Sequence, residues 1–360
     1  MTQDAAMRSE AGAEPFGLDE LRLAGRNRGS LPEALRYDVT PVGLHYLLIH
    51  FDVPYVDPAD WRLSVGGNVE RTVELGLDEL RALPAATIPV TLECAGNGRA
   101  LLEPRPVSQP WLEEAFGNAE WTGTPLHGVL ERAGLRPDTV ELVFTGADRG
   151  VQDGVAHRYA RSLTVDEALR EEVMLVYAMN GRPLEPQHGA PVRLLVPGWY
   201  GMASVKWLTG VEAVTEPFDG FQQQIAYRYQ DDPDDTPGEP VSRMRPRALM
   251  LPPGVPDFQT RGRFVSAGPV ELTGRAWSGA GPVQRVEVAI DGRWEDATMH
   301  EVLGDYAWRG WSLRWDATPG RHELRCRATD AAGETQPLEP HWNVQGMGNN
   351  VAQRLSVLVE

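Results

Sequence analysis

Between Asp60 and about Thr215, apolar residues gather in short runs broken by Gly, Asn or Pro. The runs WRLSV, TVELVFTG, VMLVYAM and APVRLLVPG are β-branched and stopped by those breakers, which predicts strands. TIPVTLE reads the same way up to Cys94. LGLDELRAL, TPLHGVLERAG and TVDEALREE are predicted helices. The last opens with Thr164 and Glu167 at capping-box spacing, and the second closes on Gly134. Strands and helices therefore mix without the regular alternation of a doubly wound sheet. Residues 1–40 are polar and punctuated by Pro and Gly, which predicts an arm lying over the body.

A different pattern follows the stretch YQDDPDDTPGEPVSRMRPRALMLPPGVPDF, whose crowded prolines and acids predict a solvated linker. It lacks the glycine and terminal glutamate of a calcium-binding loop. Beyond it, PVELTGRAW, VQRVEVAID, RGWSLRWDA, HELRCRATD and PHWNV alternate apolar with polar residues. Turn pairs such as Asp291-Gly292 and Pro319-Gly320 join them. Period-two strands at this spacing predict a β-sandwich of immunoglobulin type. Leu324, Cys326 and Ala328 share one strand face, so Cys326 reads as a small core residue. The expected division is an arm at 1–40, a mixed α+β domain at 41–230, an acidic linker at 231–244 and the sandwich at 245–360.

A length of 360 residues suits two domains at about 150 residues each. With 34 basic and 51 acidic residues the net charge is −17, which repels nucleic acid and anionic membrane surfaces. An anionic ligand must then be met by basic residues gathered locally. The longest apolar run, LHYLLIHF, falls short of the ~20 residues of a membrane span. The N-terminal stretch shows neither an apolar signal core nor paired arginines before one, so a cytoplasmic location is expected. Two cysteines make no disulfide framework and suit a reducing compartment.

Candidate chemistry centres on TLECAGNGRALLEP, Thr91 to Pro104. Cys94 ends an apolar run where Gly96, Asn97 and Gly98 tolerate the positive φ of a sharp turn. A lone thiol there can be a nucleophile, a metal ligand or an inert core residue. Glu93 is not the small residue that a nucleophile elbow wants, and no base can be assigned from sequence. A structural zinc site would want more Cys or His at short spacing. A second stretch, QHGAPVRLLVPGWYGMASVKWLTGVEAV, sets His188, Arg193 and Lys206 in a segment rich in glycine and otherwise mostly apolar. Basic residues in that setting suggest an anion such as a cofactor phosphate, or carboxylates supplied from elsewhere in the fold.

ECAGNGR and HGAPVRLLVPGWYGMASVKWL resemble the two signature stretches of the sulfite oxidase family of molybdenum enzymes, in the same order and at a similar separation. The likeness covers most of the chain. It implies that the Cys94 sulfur binds molybdenum, whose other sulfur ligands come from the dithiolene of a molybdopterin cofactor. His50, His188, Arg193, Ser204 and Lys206 would hold that cofactor and its phosphate. Arg99, Trp111, Tyr227 and Arg309 would form the substrate pocket, with Trp121 at the family spacing. Tyr227 is placed by counting from Lys206 along FDGFQQQIAYRY, with Tyr229 as the alternative, and Arg309 by the segment YAWRGW. Aligning IHFDVPYVDPADWRL with the family's Arg-Asn-His-x-Pro-Val-Pro keeps His50 and puts Leu48 where sulfite oxidases carry a second pocket arginine.

The implied activity is oxygen-atom transfer between a molybdenum centre and a small anionic sulfur substrate, foremost sulfite to sulfate. Relatives with related cores reduce nitrate or methionine sulfoxide. The chain has no Cys-x-x-Cys-His, no His-Pro-Gly-Gly and no Gly-x-Gly-x-x-Gly after a strand, so a separate electron acceptor is expected. The sandwich resembles the family's dimerisation domain, which implies a homodimer. Two other readings compete: a binding protein that keeps the fold without turnover, and a cysteine hydrolase built on Cys94. A non-catalytic relative has no need of the thiol.

Overall fold

Two five-stranded sheets carry the first domain in the computed structural model, which describes residues 15–234 and 238–360. One sheet runs in the order Val73–Gly76, Arg62–Gly67, Leu208–Val214, Glu141–Gln152, Val155–Thr164. Its Arg62–Gly67 and Leu208–Val214 strands are parallel, and the long crossover that parallel pairing requires contains the whole second sheet. That sheet orders Ala86–Glu93, Phe116–Pro125, Met174–Met179 and Arg182–Pro183, with Arg193–Leu195 also paired to Met174–Met179. The predicted helices form where their caps lie. Leu126–Ala133 ends on Gly134 at φ +70°, and the short Val165–Ala168 helix is opened by Thr164, whose Oγ1 accepts from Glu167 N at 3.4 Å.

The second domain is a sandwich of a four-stranded sheet, with Gly268–Trp277 and Arg309–Ala317 at its centre, and a six-stranded sheet built around Gly320–Thr329. Asp291 and Gly292 both take positive φ, 52° and 81°, the backbone a tight two-residue hairpin demands. Leu324, Cys326 and Ala328 are fully buried in its core, and Cys326 Sγ donates to Ala248 O at 3.5 Å. Among the described residues no helix is long and apolar enough to cross a membrane.

Two expectations are corrected. PHWNV is not a strand: Trp342 Nε1 donates to Pro104 O at 2.8 Å, so this segment serves the first domain instead of a ladder. The closing strand is Gln353–Val359, antiparallel to Gly320–Thr329 and parallel to Arg263–Val265. The segment 231–244 is not simply a solvated linker. Val241 and Met244 are buried, and Glu239–Pro240 pairs with Arg228–Tyr229; residues 235–237 lie outside the described ones. The arm holds a helix, Leu18–Arg26, whose buried Glu20 pairs with Arg105 at 3.0 Å; its first 14 residues also lie outside the description.

A cavity runs along the seam between the domains, and Glu113 lines it. Burial pushes the Glu113 carboxyl up to about 7, against a smaller opposing pull from Arg247. In the unfolded chain this acid ionises near its ordinary 4.5, so the folded protein loses stability as pH rises from 4.5 to 7 and no more above that. Glu113→Gln keeps the shape and removes the titration. Since the side chain is partly exposed, the variant should gain about 1–3 kcal/mol at pH 8 and nothing at pH 4, read as the difference in urea midpoints. Equal midpoints at pH 8 would show that Glu113 ionises freely in the folded protein.

Candidate active site

Cys94 lies at the end of the Ala86–Glu93 strand, where the chain turns into a loop held from both sides. Within the loop, Asn97 N donates to Cys94 O at 3.0 Å and Arg99 N to Gly96 O at 3.1 Å. Only Gly98 of the three turn residues takes a positive φ, +86°. Gly96 is required for space: a Cβ there would lie 2.6 Å from the Arg99 guanidinium nitrogens.

The second domain grips this loop. Glu93, immediately before Cys94, faces Arg247 with Oε1 2.6 Å from Nε, both side chains 1% exposed. The same carboxylate accepts from Trp277 Nε1 at 2.8 Å and Asn97 Nδ2 at 2.9 Å. Gly348 N donates to Ala95 O at 2.6 Å, Asn349 Nδ2 to Gly98 O at 2.8 Å, and Arg99 Nε to Gln345 O at 2.7 Å. The residue that sequence reasoning marked as spoiling a nucleophile elbow is therefore the anchor of the loop.

Two adjoining cavities meet at Cys94 and share Leu48, His50 and Tyr227. His188, Arg193, Ser204 and Lys206, from the second signature stretch, line the inner one. Arg193 donates to His188 O at 3.1 Å and Ser204 O at 3.0 Å, and its guanidinium lies over the buried Trp121 ring at 5.0 Å. Lys206 Nζ donates to Leu48 O at 2.7 Å and Gln187 O at 3.1 Å. Neither cation has a carboxylate within ion-pair distance among the described residues. Burial pushes Arg193 down to about 10 and Lys206 far below its usual range. The neighbouring imidazoles are held neutral, His45 and His50 each at about 4 and His188 lower still, chiefly by burial.

The outer cavity is lined by Arg99, Trp111 and Tyr227. Tyr227 Oη lies 3.1 Å from His50 Nε2, and burial raises its hydroxyl well above the ordinary range, so it stays protonated. Tyr229 lines neither cavity, its ring lying beside Gly348 and under Arg245. Arg309 is also elsewhere: it pairs with Ala276 in the sandwich and donates to His300 O at 2.6 Å and Val283 O at 3.1 Å. Its expected place in the pocket is corrected, because the second domain reaches the cavity through Gln345 and Met347 instead. Sequence reasoning also missed His45, Tyr46 and Asp148 of the inner cavity. The two histidines within the apolar run LHYLLIHF were the one visible signal.

These residues fit a bulky anionic cofactor carrying a metal. Arg193 Nε is buried with no hydrogen-bond partner, which leaves a donor for such a group. Burial raises the Cys94 thiol while Arg99 pulls it down, so a bound cation would be needed to hold the thiolate. No group of three His, Cys, Asp or Glu able to hold a metal ion occurs among the described residues, so a metal beside Cys94 would take its other ligands from the cofactor.

Residues 50–222 match the family model described as an oxidoreductase molybdopterin binding domain, and residues 258–360 match that of a Mo-co oxidoreductase dimerisation domain. Mitochondrial sulfite oxidase of Homo sapiens is 34% identical over 356 residues, covering 91% of this chain and 63% of that protein. An NADH nitrate reductase of Solanum lycopersicum is 30% identical over 358 residues, 89% of this chain and 38% of its own length. The sulfane dehydrogenase SoxCD from Paracoccus pantotrophus superposes with a TM-score of 0.80 at 25% identity, over 98% of this chain and 96% of that one. The chain thus spans less than two thirds of these curated relatives.

Two variants separate anchoring from cofactor holding. Arg247→Met leaves Glu93 buried without its cation and should cost about 3–5 kcal/mol in chemical denaturation. A loss under 1 kcal/mol would show that Trp277 and Asn97 suffice. Lys206→Met removes a buried cation that has no carboxylate partner, so the cofactor-free protein should melt no lower than the parent, while cofactor content after expression falls at least tenfold. Unchanged cofactor content would mean that Lys206 holds nothing.

Proposed function

Because the chain belongs to the sulfite oxidase family of molybdopterin-dependent oxidoreductases, we propose that it transfers an oxygen atom to a small sulfur oxyanion, with sulfite oxidation to sulfate the reaction to test first. The observation that carries this reading is the pairing, in one cavity wall, of Cys94 with the buried Arg99, a cation that has no carboxylate partner among the described residues. When bound, the molybdopterin cofactor supplies metal-centred oxygen-atom transfer and two-electron redox chemistry. Cys94 would be its one protein metal ligand, and Lys206, Arg193, His188 and Ser204 would hold its pterin and phosphate.

The chain's own contribution is charge and position. Arg99 is held by Gln345 O and by Gln109 O, the latter at 3.0 Å from Nη1, so its planar fork is aimed before any anion arrives. It would neutralise the oxyanion where little water competes. Tyr227, kept protonated, can donate from its hydroxyl to a substrate oxygen, and neutral His50 offers Nε2 as the alternative partner of that hydroxyl. Trp111 and Leu48 close the walls against water. The electrons would pass to a separate acceptor, and the sandwich would pair two copies of the chain.

Protein purified with adequate cofactor supply should contain stoichiometric molybdenum and pterin, and should oxidise sulfite with ferricyanide as acceptor. Cys94→Ser should remove at least 99% of that activity together with the absorption band from thiolate-to-metal charge transfer. Metal-free protein would overturn the reading; full activity in the serine variant would overturn the role of Cys94.

A further inference from the structure

The outer cavity carries far less positive charge than a doubly charged anion calls for. Its volume is about 480 Å³, so sulfite would occupy a small part of it. Arg99 is its single permanent cation among the described residues; Lys206 and Arg193 line only the inner cavity. His50 adds no charge at neutral pH, since burial holds it at about 4. The third Arg99 contact is a thioether, Met347 Sδ at 3.5 Å from Nη2, and Leu48 forms the wall shared with the inner cavity. The one carboxylate in the lining among the described residues, Asp153, sits exposed at the rim and opposes a second negative charge.

Part of the mouth is apolar. Val107, Val151 and Ile225 are 76%, 67% and 52% exposed, and they come from three separate segments that converge on the same opening. Apolar side chains left bare around a deep opening gain free energy only when something apolar covers them.

Building on the oxygen-transfer reading above, we propose that the preferred substrate is a sulfinate, R–SO2⁻, whose single charge meets Arg99 and whose apolar substituent R lies along Leu48 and Met347 toward Val107, Val151 and Ile225. The product is the sulfonate, R–SO3⁻. The sulfur lone pair becomes the new S–O bond, the oxygen comes from water, two protons leave, and two electrons pass to two equivalents of an external one-electron acceptor. Sulfite in its doubly charged form leaves one charge without a partner.

Calorimetric titration of the holoprotein with sulfate and with methane-, propane- and hexanesulfonate reads binding of products without turnover. Affinity should rise about fourfold per buried methylene, and sulfate should bind about 10- to 100-fold more weakly than the shortest sulfonate. Ile225→Ser, at an exposed position, should flatten the rise with chain length. Leu48→Arg should tighten sulfate about 10- to 100-fold and weaken hexanesulfonate. Sulfate binding as tightly as hexanesulfonate in the natural protein, or affinity independent of chain length, would overturn the proposal even if Leu48→Arg failed to fold. Absence of any ferricyanide-coupled turnover, with sulfite and sulfinates alike, would instead overturn the oxygen-transfer reading on which it rests.

Discussion

The buried ion pair between Glu93 and Arg247 is the constraint on which the rest of the site depends. Burying two charges costs several kcal/mol unless the remaining lone pairs find donors, and here Trp277 and Asn97 supply them. Because Glu93 directly precedes Cys94, the position of the thiol is set by a side chain from the other domain. Gln345, Gly348 and Asn349 extend that grip along the loop as far as Arg99. The sandwich is thus part of the active site as well as the domain that matches a dimerisation family. It explains why Pro337 to Asn350 departs from strand geometry: this stretch leaves the ladder to reach the first domain.

A second consequence is a division of charge across Cys94. The inner cavity gathers Arg193 and Lys206 with three neutral imidazoles, on a chain whose net charge is −17. The desolvation of those cations is a cost carried by the fold in advance of ligand, and a large anion would relieve it. The outer cavity is nearly neutral, with one cation and one carboxylate among the described residues, and its lining is polar and apolar in similar shares. One loop therefore separates a region built for a polyanion from one built for a species of low charge.

Local pattern made much of this legible. Runs such as RGWSLRWDA became strands at the residues the alternation named, and Thr164 and Gly134 capped the helices they were expected to cap. The two signature stretches brought Cys94, His188, Arg193, Ser204 and Lys206 to one cavity, and counting from Lys206 placed Tyr227 in its wall. What local pattern could not show is the approach of distant segments. Gln345 and Met347 enter the pocket from more than 200 residues away in sequence, and nothing in QGMGNN signals it. Arg309 was misplaced for the same reason: its neighbours fit a motif, but its strand register points it toward His300 and Val283. PHWNV alternates as a strand does, yet its polar groups are spent on the first domain.

The central claim is that Cys94, held in place by the second domain, ligates the metal. Molybdenum K-edge X-ray absorption of the natural protein and of Cys94→Ser tests it most directly. The account predicts a sulfur shell smaller by one neighbour in the serine variant, with the dithiolene sulfurs retained. An identical sulfur shell in both proteins would contradict it.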